Sequence, residues 1–311
     1  MPPRAALLDT AWVRACAQEA GFELCGFAKA GPLDGHFLQA WLEAGWGEGM
    51  PWMSETVQLR LDVRKLLPGV QTVVVLGANY FHPHPPSPVA RFARSRDYHK
   101  TFHGWLKRLM ARLKEAYPDM AMRAFVDSGP VAEKVWAVQA GLGFVGNNGC
   151  FIHPRKGSWF LLATLLLTLP ADSLGEVVQE ACGNCRACIE ACPTGALLGG
   201  GRVDARRCLS FHTLENKGDW PRPVRAQARW VFGCDSCQEA CPHNRKAPAG
   251  HEAFLPRPFA LWPLQRFLEI DEADYATLLG TPLVRAKLWG LRRNAAHALG
   301  VEVAEKKAGP A

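Results

Sequence analysis

The chain has 311 residues, a hydrophobic content of 48% and a formal net charge of +7 at neutral pH. That is enough apolar material for one large or two moderate domains with a proper core. The longest apolar run, WFLLATLLLTL at residues 159–169, is shorter than the about 20 residues needed to cross a bilayer. The start of the chain resembles an amphipathic helix rather than an export signal, so no membrane contact and a cytoplasmic location are expected.

Eleven cysteines stand out in this composition. The cytosol keeps thiols reduced, so metal ligation is expected before disulfides. The charge also needs a correction, because a cubane cluster with four thiolates carries roughly −2 and two clusters would lower the total to about +3. The net charge is therefore weak evidence for a nucleic-acid partner.

The pattern along the chain predicts three regions. Residues 1–170 look α/β, with predicted helices at 7–20, 36–44, 101–116 and 131–140 and predicted strands at 71–76 and 123–126. The continuous apolarity of the strands indicates burial on both faces. Residues 82–88 form a Pro-rich loop, residues 171–250 are Cys-rich and depend on metal for stability, and residues 251–311 become helical again, most clearly at 281–300.

The segment CGNCRACIEACP at residues 182–193 has the C-x2-C-x2-C-x3-C-P spacing of a bacterial iron–sulfur site, whose fourth Cys usually serves another cluster. A second motif, CDSCQEACP at 234–242, lacks one ligand, and Cys208 is the natural supplier. The crossed rule predicts two [4Fe–4S] clusters, one held by Cys182, Cys185, Cys188 and Cys241 and the other by Cys192, Cys208, Cys234 and Cys237.

Zinc is the alternative reading of these cysteines, since it also binds C-x2-C pairs. A zinc ribbon needs two well-separated pairs, however, whereas here four Cys fall within eleven residues and a near copy follows. The remaining thiols are Cys16, Cys25 and Cys150. The first two are expected to be small buried hydrophobic residues.

The stretch VDSGPVAEK at residues 126–134 contains the most suggestive acid, Asp127, at the end of a predicted strand. One interpretation is helix capping, in which a carboxylate near a helix start satisfies free N–H groups. The other is catalysis, which requires burial under a large apolar cofactor to raise the pKa of Asp127 against the helix dipole. The Gly-rich run AGLGFVG at 140–146 reads as a helix end followed by a turn, or as a close approach to a cofactor.

Two basic clusters follow the cysteines. Residues 201–229 contain seven Lys or Arg against three acids, and a second group comprises Arg285, Lys287, Arg292 and Arg293. A solvated face, compensation of cluster charge and an RNA-phosphate surface are all compatible with them.

Several motifs in one order resemble the epoxyqueuosine reductases: RDYHK (96–100), VDSGPVAEK (126–134), AGLGFVGNN (140–148), KGSWF (156–160), the two Cys motifs and GLRRNAAHALG (290–300). The resemblance runs from about residue 20 to residue 300. It implies a cobalamin-dependent enzyme with two [4Fe–4S] clusters that removes the epoxide oxygen of epoxyqueuosine at the wobble position of a tRNA anticodon. The implied architecture is a corrinoid-binding α/β (α+β) domain similar to flavin-reductase folds, a ferredoxin-like domain and a short helical HEAT-like module that contacts tRNA.

The resemblance also implies residue roles. Asp127 would be the proton donor, and Tyr98 and His99 would line the substrate cavity. Corrin contacts are expected from Arg60, Asp127, Asn147, Asn148, Gly149, Ser158, Asp235 and Ser236, and substrate or tRNA contacts from Tyr98, His99, Ser210, Arg285, Lys287, Arg292 and Arg293. The family commonly has Lys where this chain has Asn147. An external flavodoxin- or ferredoxin-type electron donor and a monomeric state are expected.

The main rival function is a corrinoid reductive dehalogenase of small organohalides, which shares the corrin domain and cluster pair. Its typical twin-Arg export signal is missing here, and a basic helical tail would have no purpose in it. A pure electron-transfer module is less compatible with the large first domain and its Asp127 motif, and a binding protein with purely structural clusters would need only one.

Overall fold

The computed structural model describes residues 7–302; residues 1–6 and 303–311, at the outer ends of the predicted first and third domains, lie outside the described residues. The strands of the first region are β1 (Leu24–Lys29), β2 (Thr72–Asn79), β3 (Met122–Phe125), β4 (Phe144–Val145), β5 (Phe151–Ile152) and β6 (Phe160–Leu167). Four of them form one sheet in the order β1-β2-β6-β3, and each neighbouring pair is antiparallel. The α and β content agrees with the expectation, and the antiparallel pairing makes the region α+β.

Helices cover both faces of this sheet. Helices α1 (Thr10–Ala20) and α5 (Tyr98–Ala116) lie on one face and α6 (Glu133–Gln139) on the other; the region also contains α2 (His36–Glu43), α3 (Pro51–Glu55) and α4 (Val57–Leu61). Successive residues of β2 point to opposite faces, so Val74 packs with α1 and α5 while Val75 packs with α6. All eight residues of β2 are buried, which confirms strands covered on both sides.

Two of the three leftover thiols of the first region, Cys16 and Cys25, are buried as predicted. Cys16 and Cys25 are buried in the core between the sheet and helices α1 and α5. Burial raises the pKa of Cys25 to about 12, so its thiol stays protonated.

The Cys-rich region has little regular structure. Its elements are α7 (Ala187–Glu190), β7 (Leu197–Gly199), β8 (Arg202–Val203), α8 (Leu209–Leu214), α9 (Arg222–Arg225) and α10 (Ser236–Glu239). Strands β7 and β8 form a small hairpin, and α7 packs against α10. Such short elements bury little apolar surface, which agrees with a region whose stability depends on metal.

The tail contains α11 (Leu264–Leu268), α12 (Glu272–Thr277) and α13 (Lys287–Leu299). The helix predicted at 281–300 is broken, because residues Pro282–Ala286 form a 3-10 turn and Lys287 has φ of 61°. The core of the tail includes Val89, Ala93 and Phe232 from the preceding regions. None of the helices in residues 7–302 is long and apolar enough to span a membrane.

Candidate active site and thiol cavities

Asp127 lies two residues after the end of β3 and has φ of 53°, in the left-handed region. Its Oδ2 accepts a hydrogen bond from the Tyr98 hydroxyl at 2.9 Å and lies 3.5 Å from His99 Nε2. The side chain is 59% exposed, and within the described chain its Oδ1 accepts no hydrogen bond. One carboxylate oxygen is thus fixed, while the other makes no hydrogen bond within the described chain on a side chain that is exposed to ligands.

The structure does not support the capping interpretation of Asp127. Helix α6 begins at Glu133, and its N-cap is Ala132, which makes no side-chain capping bond. The carboxylate of Asp127 instead points to the start of α5. The sequence placed the acid correctly near a helix start, but the helix that it serves comes from another part of the chain.

The start of α5 positions both partners of Asp127. Asp97 caps this helix by accepting from the His99 backbone N–H at 3.0 Å, and the same oxygen lies 2.8 Å from His99 Nδ1. The rings of Tyr98 and His99 stack with centroids 4.2 Å apart. Since carboxylates meet both of its ring nitrogens, His99 is held in the orientation that suits the doubly protonated imidazolium.

The pKa values of this group move in opposite directions. The hydrogen bond to Asp127 is the main cause that raises the pKa of His99, and Asp97 adds to it. The bond from His99 is the main cause that lowers the pKa of Asp127, although burial opposes it. Burial and the adjacent carboxylate raise the pKa of Tyr98, so its hydroxyl stays a donor. The shared proton therefore rests on His99 in this arrangement.

Two further side chains, Glu133 and Arg60, interact with Asp127. Glu133 Oε1 accepts the Asp127 N–H at 2.8 Å, and burial raises the pKa of Glu133 to about 8. Arg60, predicted as a corrin contact, interacts electrostatically with both acids, and its Nη1 lies 3.5 Å from the Val131 carbonyl. Sequence reasoning missed Glu133, and the available signal was an acid in the first turn of α6.

The tail reaches the same site through Arg285. Its guanidinium pairs with Glu215 at 2.8 Å and also lowers the pKa of Asp127. The Arg285 side chain is 53% exposed. A residue 158 positions further along the chain thus adds positive charge at the edge of the acid site.

Cys182, Cys185, Cys188 and Cys241 line one cavity of about 120 Å³. This is the first crossed set, with Cys241 brought in from 53 residues beyond Cys188. Within residues 7–302 no group of three or more His, Cys, Asp or Glu is arranged to hold a single metal ion.

Asn147 and Asn148 line this thiol cavity as well. The Asn147 backbone N–H donates to Cys182 Sγ at 3.5 Å, and Asn148 Nδ2 is buried without a hydrogen-bond partner. Donors directed at sulfur tune an iron–sulfur cluster, so the orphaned amide fits a cluster in this cavity. Both residues thus border the first thiol set, and the Asn147 side chain donates to the Cys185 carbonyl at 3.0 Å.

The second crossed set also comes together. Cys208 interacts electrostatically with Cys192, and Cys237 with Cys234 and Cys208. The Ala196 backbone N–H donates to Cys192 Sγ at 3.3 Å. The remaining thiol, Cys150, lies against Cys237, next to the predicted site residue Gly149, whose carbonyl accepts from Lys134. Cys237 of the second set is thus connected through Cys150 and Gly149 to Lys134 on α6, the helix that follows the Asp127 loop.

Several predicted corrin contacts are internal. Ser158 is buried, and its Oγ accepts from Gln238 and Asn244 at 3.0 and 2.8 Å. Asp235 is buried and accepts the Arg91 backbone N–H at 2.7 Å; burial raises the pKa of Asp235 to about 6. These side chains shape the surroundings of the second thiol set instead of presenting polar atoms to a ligand.

Ser236 borders a larger cavity, of about 550 Å³, that also includes Pro193, Arg91, Arg94 and Arg229. Arg94 is buried, and its Nη1 has no hydrogen-bond partner. The cavity therefore brings guanidinium groups next to the residues that flank Cys192 and Cys237.

The predicted tRNA contacts divide into two groups. Arg285, Lys287 and Arg292 are exposed, and Ser210 is partly exposed on α8. Arg293 is buried and donates to the carbonyls of His212, Asn216 and Gly218. The prediction that Arg293 contacts tRNA is corrected, because a guanidinium that donates its hydrogen bonds to internal carbonyls is not free to contact a phosphate.

Two family models match the chain. The one described as "Epoxyqueuosine reductase QueG, DUF1730" covers residues 60–128, and the one described as "4Fe-4S double cluster binding domain" covers residues 181–244. The first span contains Arg60, Tyr98, His99 and Asp127, and the second contains all eight cysteines of the two crossed sets.

Curated relatives extend over nearly the whole chain. An epoxyqueuosine reductase from Synechococcus sp. (strain CC9605) is 41% identical over 297 residues, which is 91% of this chain and 92% of that protein. One from Gloeobacter violaceus is 38% identical and covers 93% of this chain and 95% of that protein.

Solved structures agree in fold. A crystal structure of epoxyqueuosine reductase with a tRNA-Tyr epoxyqueuosine-modified stem loop matches with a TM-score of 0.82, 26% identity, 93% of this chain and 80% of that chain. A Bacillus subtilis epoxyqueuosine reductase, with its catalytic aspartate loop swung out of the active site, matches with a TM-score of 0.84, 26% identity and the same coverage. A catabolic reductive dehalogenase is much more distant, with 15% identity and a TM-score of 0.48.

Proposed function

The chain belongs to the epoxyqueuosine reductases, and we propose that it reduces epoxyqueuosine to queuosine at the wobble position of a tRNA anticodon. This is the last step of queuosine synthesis, and the proposed proton donor is Asp127. The reaction replaces the epoxide by an alkene; it consumes two electrons and two protons and releases the oxygen as water.

The observation that carries the acid role is the half-open carboxylate of Asp127. Its Oδ2 is fixed by Tyr98 at 2.9 Å and approached by His99 at 3.5 Å, while Oδ1 is free to meet a ligand. A general acid must lie within hydrogen-bond reach of the atom that it protonates, and only an open oxygen offers that reach. The aspartate loop of the Bacillus subtilis relative is described as catalytic, which supports the same role here.

Two [4Fe–4S] clusters and cobalamin are the cofactors of the reaction. The two crossed sets of thiols fit the clusters, and Asn148 supplies an N–H donor toward the first. The open oxygen of Asp127 and the Arg60 guanidinium, which interacts with it electrostatically, fit the edge of a corrin site; Gly149 and Ser236 are kept as proposed corrin contacts. Held there, the reduced cofactor would supply the two electrons that the reaction consumes.

The side chains handle the protons. His99 holds one proton between Asp97 and Asp127 and passes it to the Asp127 carboxyl, which donates it to the departing oxygen; the second proton, which completes the water, comes from solvent. Tyr98 keeps the carboxylate in place as a permanent donor, because its own pKa is raised. A cofactor that covers Asp127 would exclude water and raise the pKa of its carboxyl, which favours this transfer.

The exposed cations of the tail are proposed to hold the anticodon stem loop. Arg285 lies nearest to Asp127, and Lys287 and Arg292 extend the positive surface along α13. The finer architecture, a ferredoxin-like domain at 171–250 and a HEAT-like module at 251–311 after the corrinoid domain, is part of the proposal. So are a monomeric state, a cytoplasmic location and an acidic flavodoxin- or ferredoxin-type electron donor, for which the basic cavity beside Cys192 offers a complementary surface.

The test is anaerobic turnover of a stem loop that carries epoxyqueuosine, with reconstituted protein and a chemical reductant. We expect queuosine to form with the unmodified protein and turnover to fall at least about 100-fold with Asp127→Asn. Asp119→Asn is the matched control, since Asp119 is exposed in the turn before β3. Equal turnover by Asp127→Asn and the unmodified protein would refute the acid role, and no queuosine with a fully loaded protein would refute the function.

A further inference from the structure

We propose that Glu133 is a positioning residue that holds the Asp127 loop in its inward conformation by accepting the Asp127 backbone N–H. The inference deepens the proposed function and rests on it. Glu133 acts through Asp127 and has no contact with the reacting atoms in this proposal.

The backbone of Asp127 needs such a partner. Its φ of 53° lies in the left-handed region, which L-residues other than Gly adopt at a cost of about 1–2 kcal/mol. The Ser128 N–H turns back to the Val126 carbonyl at 2.5 Å, and the Val131 N–H to the Gly129 carbonyl at 2.8 Å, so the loop is tightly folded on both sides. A strained residue persists only where its surroundings over-determine it.

The bond from Asp127 N–H to Glu133 Oε1, at 2.8 Å, is the contact that ties the strained residue to a rigid element. Glu133 begins α6, and the next turn of this helix buries Trp136 and Ala137 against the sheet. The bond is not a capping box, because such a box returns to the N-cap residue, which here is Ala132. Glu133 instead reaches six residues back across the loop.

The charges around Glu133 agree with this role. Asp127, His99 and Tyr98 face it from the loop and α5, and Arg60 faces it from α4. Burial and the Asp127 carboxylate raise the pKa of Glu133 to about 8, so the carboxyl is mostly neutral at pH 7. A neutral carboxyl still accepts the N–H through its carbonyl oxygen and does not repel Asp127. Glutamine at position 133 should therefore accept the same hydrogen bond as the neutral carboxyl of Glu133.

The experiment compares Glu133→Ala, Glu133→Asp and Glu133→Gln. Alanine removes the acceptor, aspartate keeps a carboxyl but is one methylene too short, and glutamine keeps an oxygen at the right reach. For Ala and Asp we expect kcat to fall about tenfold with little change in KM for the stem loop, as lost hydrogen bonds of this kind are worth about that factor. Glutamine should restore kcat to within about twofold. Glu115→Ala, on the exposed far end of α5, is the matched control.

Hydrogen–deuterium exchange of residues 126–132 gives a readout independent of turnover. We expect faster exchange of this loop in Glu133→Ala and Glu133→Asp, and the exchange rate of the unmodified protein in Glu133→Gln and Glu115→Ala. The exchange rates of the sheet should not change in any variant. The inference is overturned if alanine leaves exchange and kcat unchanged, if glutamine fails as alanine does, or if the loss appears in KM alone. Failure of the unmodified protein to make queuosine would refute the proposed function, whereas the exchange data would still decide the role of Glu133.

Discussion

His99 is the residue whose replacement tests the proton path most directly. It meets Asp97 at 2.8 Å and Asp127 at 3.5 Å, and both carboxylates raise its pKa. His99→Gln keeps an N–H donor near the position of Nε2 but cannot store a proton. The change therefore removes the stored proton while it keeps the hydrogen bond to Asp127.

The size of the effect follows from the acid that remains. Without His99, the proton must be carried by Asp127 alone, and an ordinary aspartic acid has a pKa of about 3.9. At pH 7 only about one carboxyl in a thousand is then protonated. We expect the turnover of His99→Gln to fall between about 100- and 1,000-fold.

The unmodified protein and His99→Gln should also differ in how their rates depend on pH. The unmodified protein needs protonated His99, whose pKa is raised, so its rate is full at low pH and falls as pH rises through a value above the usual about 6.5. In His99→Gln the rate should instead climb about tenfold per unit as pH falls from 7.5 to 5.5, because each unit adds tenfold more protonated Asp127.

The assay is single-turnover formation of queuosine under anaerobic conditions, followed by mass spectrometry of the digested stem loop. His103→Gln is the control, since His103 lies on the exposed side of the same helix. A His99→Gln protein with the unmodified rate, or with the unmodified pH profile at a lower rate, would refute storage of the proton on His99.

Three other outcomes are expected. Cys241→Ala should halve the iron content of the reconstituted protein and leave the second cluster visible by electron paramagnetic resonance; loss of both clusters, or of neither, would contradict the crossed pairing. Arg293→Met should destabilise the fold by about 2 kcal/mol, measured by denaturant unfolding, because the buried His212 carbonyl and the partly exposed carbonyls of Asn216 and Gly218 lose their donor. Arg285→Ala should leave unfolding unchanged but weaken stem-loop binding and flatten its salt dependence, and a binding constant equal to that of the unmodified protein would argue against a phosphate contact.

Much of the fold and site was predictable because the signals are local. Apolar periodicity located four of the six helices of the first region but only two of its six strands, and the buried run at 71–76 became β2, one of the two central strands. The predicted single helix at 281–300 was wrong in its first turn, where Lys287 takes a left-handed φ that periodicity cannot reveal. Antiparallel pairing of the sheet was also beyond periodicity, since it depends on which strands meet.

The residues that sequence reasoning missed or misplaced are those whose role depends on a distant partner. Glu133 read as an ordinary acid at a helix start, and only the loop that folds over it brings Asp127 N–H within 2.8 Å. Arg293 read as one of several basic residues on the final helix, yet the packing of α13 against α8 turns it inward.

The amino-acid sequence by itself determined the chemistry of this protein: two spaced sets of thiols and an acid in a specific motif. Ligand spacing is a property of the local chain, so the Cys motifs could be read from order alone, and the crossed assignment that their order predicts stays a prediction. The tertiary structure decided the protonation of the acid. Asp127 can be one end of the proposed proton path only because α5, from an earlier part of the chain, places His99 and Tyr98 against it, and Coulomb interactions act through space rather than along the sequence.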